Sequence, residues 1–210
     1  MNKDPMTNLT YGVYIISSKY RNKTNACIIN SCIQVAMDPT RVAISLMNTH
    51  YTRKLIKESG VFCISVLDET CPFDLIKQLG YQSGRDIDKL KDIPTFNDIN
   101  GVPCILRNSC ASLSVKVTDY INLDSHTVFI GKVKDCKILS DNKPLTYAYY
   151  QENLMPKDEE SDSHADSSDR KIIGWRCQIC GYEYWDPVIP DDFMCPVCGS
   201  PREDFVPIYE

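Results

Sequence analysis

Residues 175–187 read WRCQICGYEYWDP and residues 191–205 read DDFMCPVCGSPREDF. The two knuckles, Cys177-Gln-Ile-Cys180 and Cys195-Pro-Val-Cys198, stand 14 residues apart. Each CxxC turn aims two sulfurs at one point, and a pair of such turns makes a tetrahedral S4 site suited to iron or zinc. Four clustered thiols without a metal would serve no packing purpose, so Cys177, Cys180, Cys195 and Cys198 are the expected metal ligands. Spacing alone leaves iron and a zinc ribbon both open. Gly181 and Gly199 follow the second cysteine of each pair and let backbone N–H groups approach the sulfurs. Tyr182, Tyr184, Trp185, Phe193 and Phe205 are expected to cover a site too small to own a core.

Upstream of this module the chain changes character. Residues 154–170, LMPKDEESDSHADSSDR, hold six acids, two bases and four serines and offer almost nothing to bury. This composition predicts a flexible acidic linker between a domain at residues 1–153 and the metal module at 171–210. The charge splits with it. Residues 1–153 carry +3, from 18 Lys+Arg against 15 Asp+Glu, whereas the linker and residues 171–210 carry −4 each.

Strand signals dominate residues 1–153. YGVYIIS (11–17), ACIINSCIQVAM (26–37), RVAISLM (41–47), VFCISVL (61–67), ASLSVKVTDY (111–120) and HTVFIGKVKDCKIL (126–139) are rich in β-branched and aromatic residues. Short helices are predicted over 52–60, with its closing Gly60, over 72–80, and over the charge-rich stretch 86–92. Many strands and few helices predict a mainly β domain, a closed or nearly closed barrel.

The chain has 210 residues, 43% hydrophobic, enough for one good-sized domain and a small one. A net charge of −5 argues against a nucleic-acid partner, which needs a basic surface. No apolar run approaches the roughly 18–20 residues that span a bilayer, so no membrane association is expected. Residues 1–10 lack the basic and apolar regions of a signal peptide. Of the eleven cysteines, Cys27, Cys32, Cys63, Cys71, Cys104, Cys110 and Cys136 are scattered rather than framed, and are expected as free thiols in a reducing cytoplasm.

Over residues 175–205 the chain resembles the rubredoxin family. The short interval between its knuckles is more like the rubredoxin modules appended to rubrerythrins than like free-standing rubredoxins. That resemblance implies one iron cycling between Fe(III) and Fe(II), against the zinc alternative.

Residues 8–151 resemble the flavin reductase family, whose fold is an FMN-binding split β-barrel of Greek-key type. Six segments match in order: YGVYII (11–16), NACIINSCIQVAMDP (25–39), ISLMNTHYTRKLI (44–56), SGRDIDK (83–89), DSHTVFIGKV (124–133) and KPLTY (143–147). Cys32 and Ala36 stand where many members carry other small or hydroxylic residues. The resemblance implies a flavin-contacting segment with Asn30, Ser31, Cys32 and Gln34, of which Asn30, Ser31 and Gln34 can hydrogen-bond the ring system. It implies a phosphate-side turn with Ser45, Asn48, Tyr51 and Thr52. Thr52 would begin a helix whose free N–H groups favour an anion, and Ser83, Arg85 and Lys89 come next in the chain, the last two adding charge. His126 resembles a family histidine near flavin and nicotinamide, so it is the candidate catalytic residue.

The two modules together resemble the high-molecular-weight rubredoxins of anaerobes. This resemblance implies an NAD(P)H-dependent oxidoreductase. Hydride from NADH or NADPH reduces FMN, single electrons pass to the iron, and an acceptor protein receives them. The implied acceptor is a diiron flavoprotein that removes oxygen or nitric oxide. A homodimer with flavin near its interface is expected. Two other readings remain: a flavin or ferric reductase with structural zinc, and a non-enzymatic flavin–iron electron carrier.

Overall fold

The β-branched segments form strands. In chain order these are β1 (Tyr14–Tyr20), β2 (Lys23–Ile29), β3 (Cys32–Met37), β4 (Thr40–Met47), β5 (Val61–Leu67), β6 (Thr95–Asn97), β7 (Pro103–Ile105), β8 (Ser109–Asn122) and β9 (His126–Ile138). The computed structural model describes residues 8–85, 87–156, 171–177, 182–196, 199 and 201–209. The chain divides into two units, Met1–Met155 and Pro156–Glu210. The expected linker falls largely on residues 157–170, outside the described residues, as do Cys180, Gly181 and Cys198.

Seven strands of the larger unit make one antiparallel sheet in the order β2-β1-β5-β8-β9-β4-β3. β2 and β3 are consecutive in the chain yet occupy opposite edges. Ile29 of β2 and Ile44 of β4 nevertheless share one buried cluster with Phe62, Ile64, Val115 and Phe129, which requires the sheet to curl on itself. The result is the mainly β barrel that the strand pattern predicts, split between β2 and β3.

Helix α1 (Tyr51–Ser59) starts one residue earlier than predicted and ends on Gly60, at φ 71°, whose N–H donates to the Ile56 carbonyl at 2.8 Å. Its Ile56 joins the barrel cluster. Helix α2 (Phe73–Gly80) buries Leu75, Ile76 and Leu79 against the outer face of the sheet, beside Ile15 and Ala26. β1 is therefore buried on both faces, Ile15 toward α2 and Ile16 into the barrel. That explains its continuous apolar run where alternation would mark a half-buried strand.

Two expectations are corrected. The described residues of 86–92 form turns, not a helix. The Asp88 carboxylate accepts from the Leu90 N–H at 3.1 Å, and Asp92 sits at φ 63°. Local side-chain acceptors of this kind compete with the helical ladder. Second, Cys63 and Cys104 are not free thiols. They form a disulfide, 41 residues apart in sequence with Cα atoms 5.9 Å apart. The β6–β7 hairpin lies over β5: Ser17 Oγ donates to the Pro103 carbonyl, and the Ile105 N–H donates to Ser65 Oγ at 3.2 Å. That tertiary placement, not spacing, brings the two sulfurs together. Cys27, Cys32, Cys71, Cys110 and Cys136 are free, as expected.

The smaller unit has a three-stranded sheet of β10 (Ile172–Cys177), β11 (Glu183–Tyr184) and β12 (Phe205–Tyr209), in the order β11-β10-β12. Among the described residues no helix is long and apolar enough to cross a membrane.

At Gly131 of β9 the barrel leaves no room for a side chain. A Cβ there would lie 2.3 Å from Val115 Cγ1 and 3.1 Å from the Lys116 carbonyl oxygen. Gly131→Ala is expected to destabilise the larger unit by about 1–3 kcal/mol through overpacking. The check is a lower urea midpoint with unchanged slope.

Candidate flavin and metal sites

The residues expected to contact flavin fall into two groups joined by β4. In the first, Asn30 and Ser31 form the turn between the two split edges. Ser31 Oγ donates to Asn30 Oδ1 at 2.8 Å, and the Ser31 carbonyl accepts from the Ser45 N–H of β4 at 3.1 Å. Cys32 opens β3, and burial pushes its thiol up to about 12, so it is neutral at pH 7. Gln34 is exposed on β3 and its Nε2 donates to the Ala36 carbonyl at 3.2 Å.

The second group gathers at the start of α1. The Tyr51 ring lies 5.8 Å from the Arg85 guanidinium carbon, and the Arg85 N–H donates to Ser83 Oγ at 3.2 Å. His126 opens β9 opposite Met47, its Nδ1 2.8 Å from Ser125 Oγ. Asn48 acts as a clamp. Its Nδ2 donates to the Leu123 and Asp124 carbonyls at 3.1 and 3.0 Å, and its Oδ1 accepts from Thr127 Oγ1 at 2.8 Å. It thus holds the β8–β9 turn that presents His126.

Two members of this group are buried rather than displayed. Thr52 is fully buried and its Oγ1 accepts from Asn25 Nδ2 at 2.9 Å. Lys89 is 4% exposed and its Nζ donates to the Leu79 carbonyl in the last turn of α2, where a cation suits the helix dipole. Burial lowers its pKa, with an opposing pull from Cys27.

Sequence reasoning passed over three residues that build this corner. Asn25 ties β2 to α1 through Thr52. Gly84 lets the 83–85 turn approach Asn25 closely, since a Cβ there would lie 1.9 Å from Asn25 Oδ1. His50 stands at the N-cap position of α1 without a side-chain capping bond, and among the described residues its buried Nδ1 has no hydrogen-bond partner. Burial first, and then the positive surroundings of Lys89, His126 and Arg85, lower its pKa to about 4. The signal for His50 lay in its position directly before the helix, where a cap residue shares the anion-attracting end. The corner combines a helix N-terminus, an unsatisfied ring nitrogen and three nearby basic side chains. It fits a phosphate group.

In the smaller unit Cys177 is 0% and Cys195 3% exposed, in one cluster with Ile189 and Phe205. Trp175, Tyr182, Tyr184 and Phe193 pack against that cluster, with the Phe193 ring 4.6 Å from that of Tyr184 and 5.4 Å from that of Phe205. The Cys177 N–H donates to the Tyr182 carbonyl and the Gly199 N–H to the Cys195 carbonyl, both at 2.8 Å. Two buried sulfurs under an aromatic cover, with Cys180 and Cys198 completing the knuckles in sequence, fit a thiolate-bound metal.

Known proteins share both parts. The flavin reductase like domain family matches residues 6–156, and the rubrerythrin, rubredoxin-like domain matches residues 175–206. A high molecular weight rubredoxin of Moorella thermoacetica is 30% identical, the match covering 98% of this chain and 99% of that protein. A ferric-chelate reductase (NAD(P)H) of Archaeoglobus fulgidus is 29% identical over 75% of this chain and 92% of its own length. Among solved structures, nitrilotriacetate monooxygenase component B from Mycobacterium thermoresistibile superposes with a TM-score of 0.62 at 23% identity, covering 78% of this chain and 93% of that one.

His50 links this corner to pH. Its folded pKa of about 4 lies below the ordinary 6.5. Between these values the unfolded chain binds the proton and the folded chain does not. Its stabilising contribution is therefore complete above about pH 6.5 and is lost as pH falls toward 4. In flavin-free protein, His50→Gln should remove this dependence. The stability difference between the two proteins is expected to be flat above pH 7 and to change by about 1–3 kcal/mol by pH 4.5, read from urea midpoints. Parallel pH profiles would show that the imidazole stays hydrated.

Proposed function

The chain belongs to the flavin reductase-like family and is an oxidoreductase that carries a rubredoxin-like module; from that premise we propose that it passes electrons from NADH or NADPH through FMN to one iron and on to an acceptor protein. The observation that carries this reading is the union of both parts in one chain, as in the Moorella relative of nearly equal length. A diiron flavoprotein that removes oxygen or nitric oxide is the proposed acceptor.

A bound flavin supplies two-electron acceptance and one-electron release, and a thiolate-bound iron takes one electron at a time. The protein's part is to hold and orient these groups. The α1 N-terminus, His50 and Arg85 would hold the flavin phosphate. The turn at Asn30 and Ser31 would hydrogen-bond the ring system. His126, held by the Asn48 clamp, would stand beside the nicotinamide. Cys177, Cys180, Cys195 and Cys198 would hold the iron, with the aromatic cover keeping water from the sulfurs.

The similarity to the ferric-chelate reductase favours a second reading, a flavin or ferric reductase whose C-terminal metal is structural zinc. Anaerobic titration with NADH, monitored by absorption, separates the two. The proposed chain bleaches both flavin and ferric-thiolate bands. In Cys195→Ser the ferric-thiolate colour should vanish while the flavin absorption stays. Zinc without iron, after expression with iron present, would overturn the first reading and leave the second.

A homodimer is part of the proposal. Ile33, Val35 and Met37 of edge strand β3 are 64%, 46% and 84% exposed, as a strand awaiting cover would be. Light scattering should give twice the 23.9 kDa chain mass. Met37→Lys with Val35→Lys should shift it toward the monomer.

A further inference from the structure

We propose that Cys63, Cys104 and Asp98 form a redox-gated binding site for zinc, closed by the disulfide and opened by its reduction. The site is separate from the flavin and iron residues, and the proposal does not rest on the electron-transfer reading.

Phe62 and Ile64 of β5 face the barrel interior, so the alternate residues Cys63 and Ser65 face the β6–β7 hairpin. Cys63 is 0% and Cys104 1% exposed. The loop of the hairpin is built around Asp98. Its Oδ1 accepts from the N–H groups of Asn100 and Val102, both at 2.8 Å. Its own N–H donates to the Val102 carbonyl, and its carbonyl accepts from the Gly101 N–H, both at 2.9 Å. Gly101, at φ 73°, permits this tight return. The backbone therefore fixes the carboxylate in place. One of its oxygens and the two sulfurs all lie within 4.8 Å of one another.

Among the described residues Asp98 Oδ2 is buried and has no hydrogen-bond partner. A buried carboxylate oxygen without a donor is costly, and such groups point to an ion, a water or a redox role. A disulfide offers that oxygen neither proton nor positive charge. Reduction alters the chemistry. Two thiolates and a carboxylate are a donor set that suits zinc and not magnesium or calcium. With Zn–S bonds of about 2.3 Å, the freed sulfurs would stand about 3.8 Å apart on a zinc that the carboxylate also reaches. Three protein ligands leave the fourth position to water. The metal-bound site would carry one net negative charge, and a cation stands nearby. Lys137 Nζ lies 5.1 Å from the centroid of Phe96, whose ring packs on the Cys63–Cys104 cluster.

Opening and loading are two balanced steps. A dithiol reductant gives two electrons and two protons to the S–S bond and leaves as a disulfide, and Cys63 and Cys104 become thiols. Zinc then displaces the two thiol protons. The hairpin stays cross-linked to β5 in both states, by S–S when oxidised and by S–Zn–S when reduced.

The test uses the full chain with its iron in place. One portion is reduced with tris(2-carboxyethyl)phosphine, which becomes the phosphine oxide with oxygen from water. Both portions are dialysed against buffered zinc, and bound zinc is counted by atomic emission. The reduced protein should hold one more zinc per chain than the oxidised protein, with the iron content, counted in the same measurement, and the far-UV circular dichroism unchanged. Under the same reduction Cys104→Ser should lose that increment, and Asp98→Asn, which keeps the Oδ1 acceptor of the loop, should weaken it at least about tenfold. Equal zinc in the two redox states of the unmodified protein overturns the proposal. So does an undiminished increment in Cys104→Ser, or an increment that appears only as the sheet signal is lost.

Discussion

The larger unit depends on β5 being paired along its whole length by β8 and along much of it by β1. A strand held on both sides cannot slip without turning every side chain to the opposite face. Its alternation therefore sorts the residues once and for all. Phe62 and Ile64 fill the barrel, while Cys63 and Ser65 meet the β6–β7 hairpin. The ladder continues from β8 through β9 to β4, whose last residues lead into α1. The position of the α1 N-terminus is thus inherited from a strand three places away in the sheet.

At that corner, burial and charge act against each other. His50 and Lys89 are basic groups whose pKa values burial lowers; Lys89 rests on the carbonyl end of α2, whereas His50 stands at the α1 N-terminus among Lys89, His126 and Arg85. The His50 side of the corner therefore gains most from a bound anion. Yet the side chains most firmly placed, Asn25, Asn48 and Thr52, spend their hydrogen bonds on the protein. They set the geometry of the β4–α1 turn, the 83–85 turn and the β8–β9 turn.

The smaller unit solves a different problem. The 40 residues of 171–210 bury too little apolar surface to fold unaided. Its core among the described residues consists of the knuckle cysteines Cys177 and Cys195, Ile189, Phe205 and aromatic rings packed around them. The same aromatics that stabilise it also set the dielectric around the sulfurs.

Local periodicity and spacing carry much of this protein. The paired CxxC knuckles, five of the six long strand segments and the helices ended by Gly60 and Gly80 were legible because each depends on near neighbours, whereas 26–37 reads as one run and folds as β2 and β3 at opposite edges of the sheet. The stretch 86–92 misled because its charges read as a solvated helix face, whereas Asp88 bonds its own backbone. Other features arise from the packed fold and from nothing local. The Cys63–Cys104 bond, the seating of the β6–β7 hairpin on Ser65 of β5, the contact of Thr52 with Asn25, and the convergence of His50 with Arg85 and His126 all join residues tens of positions apart. Their meeting depends on strand order, and a period-two pattern says which face a residue takes but not which strand lies beside it.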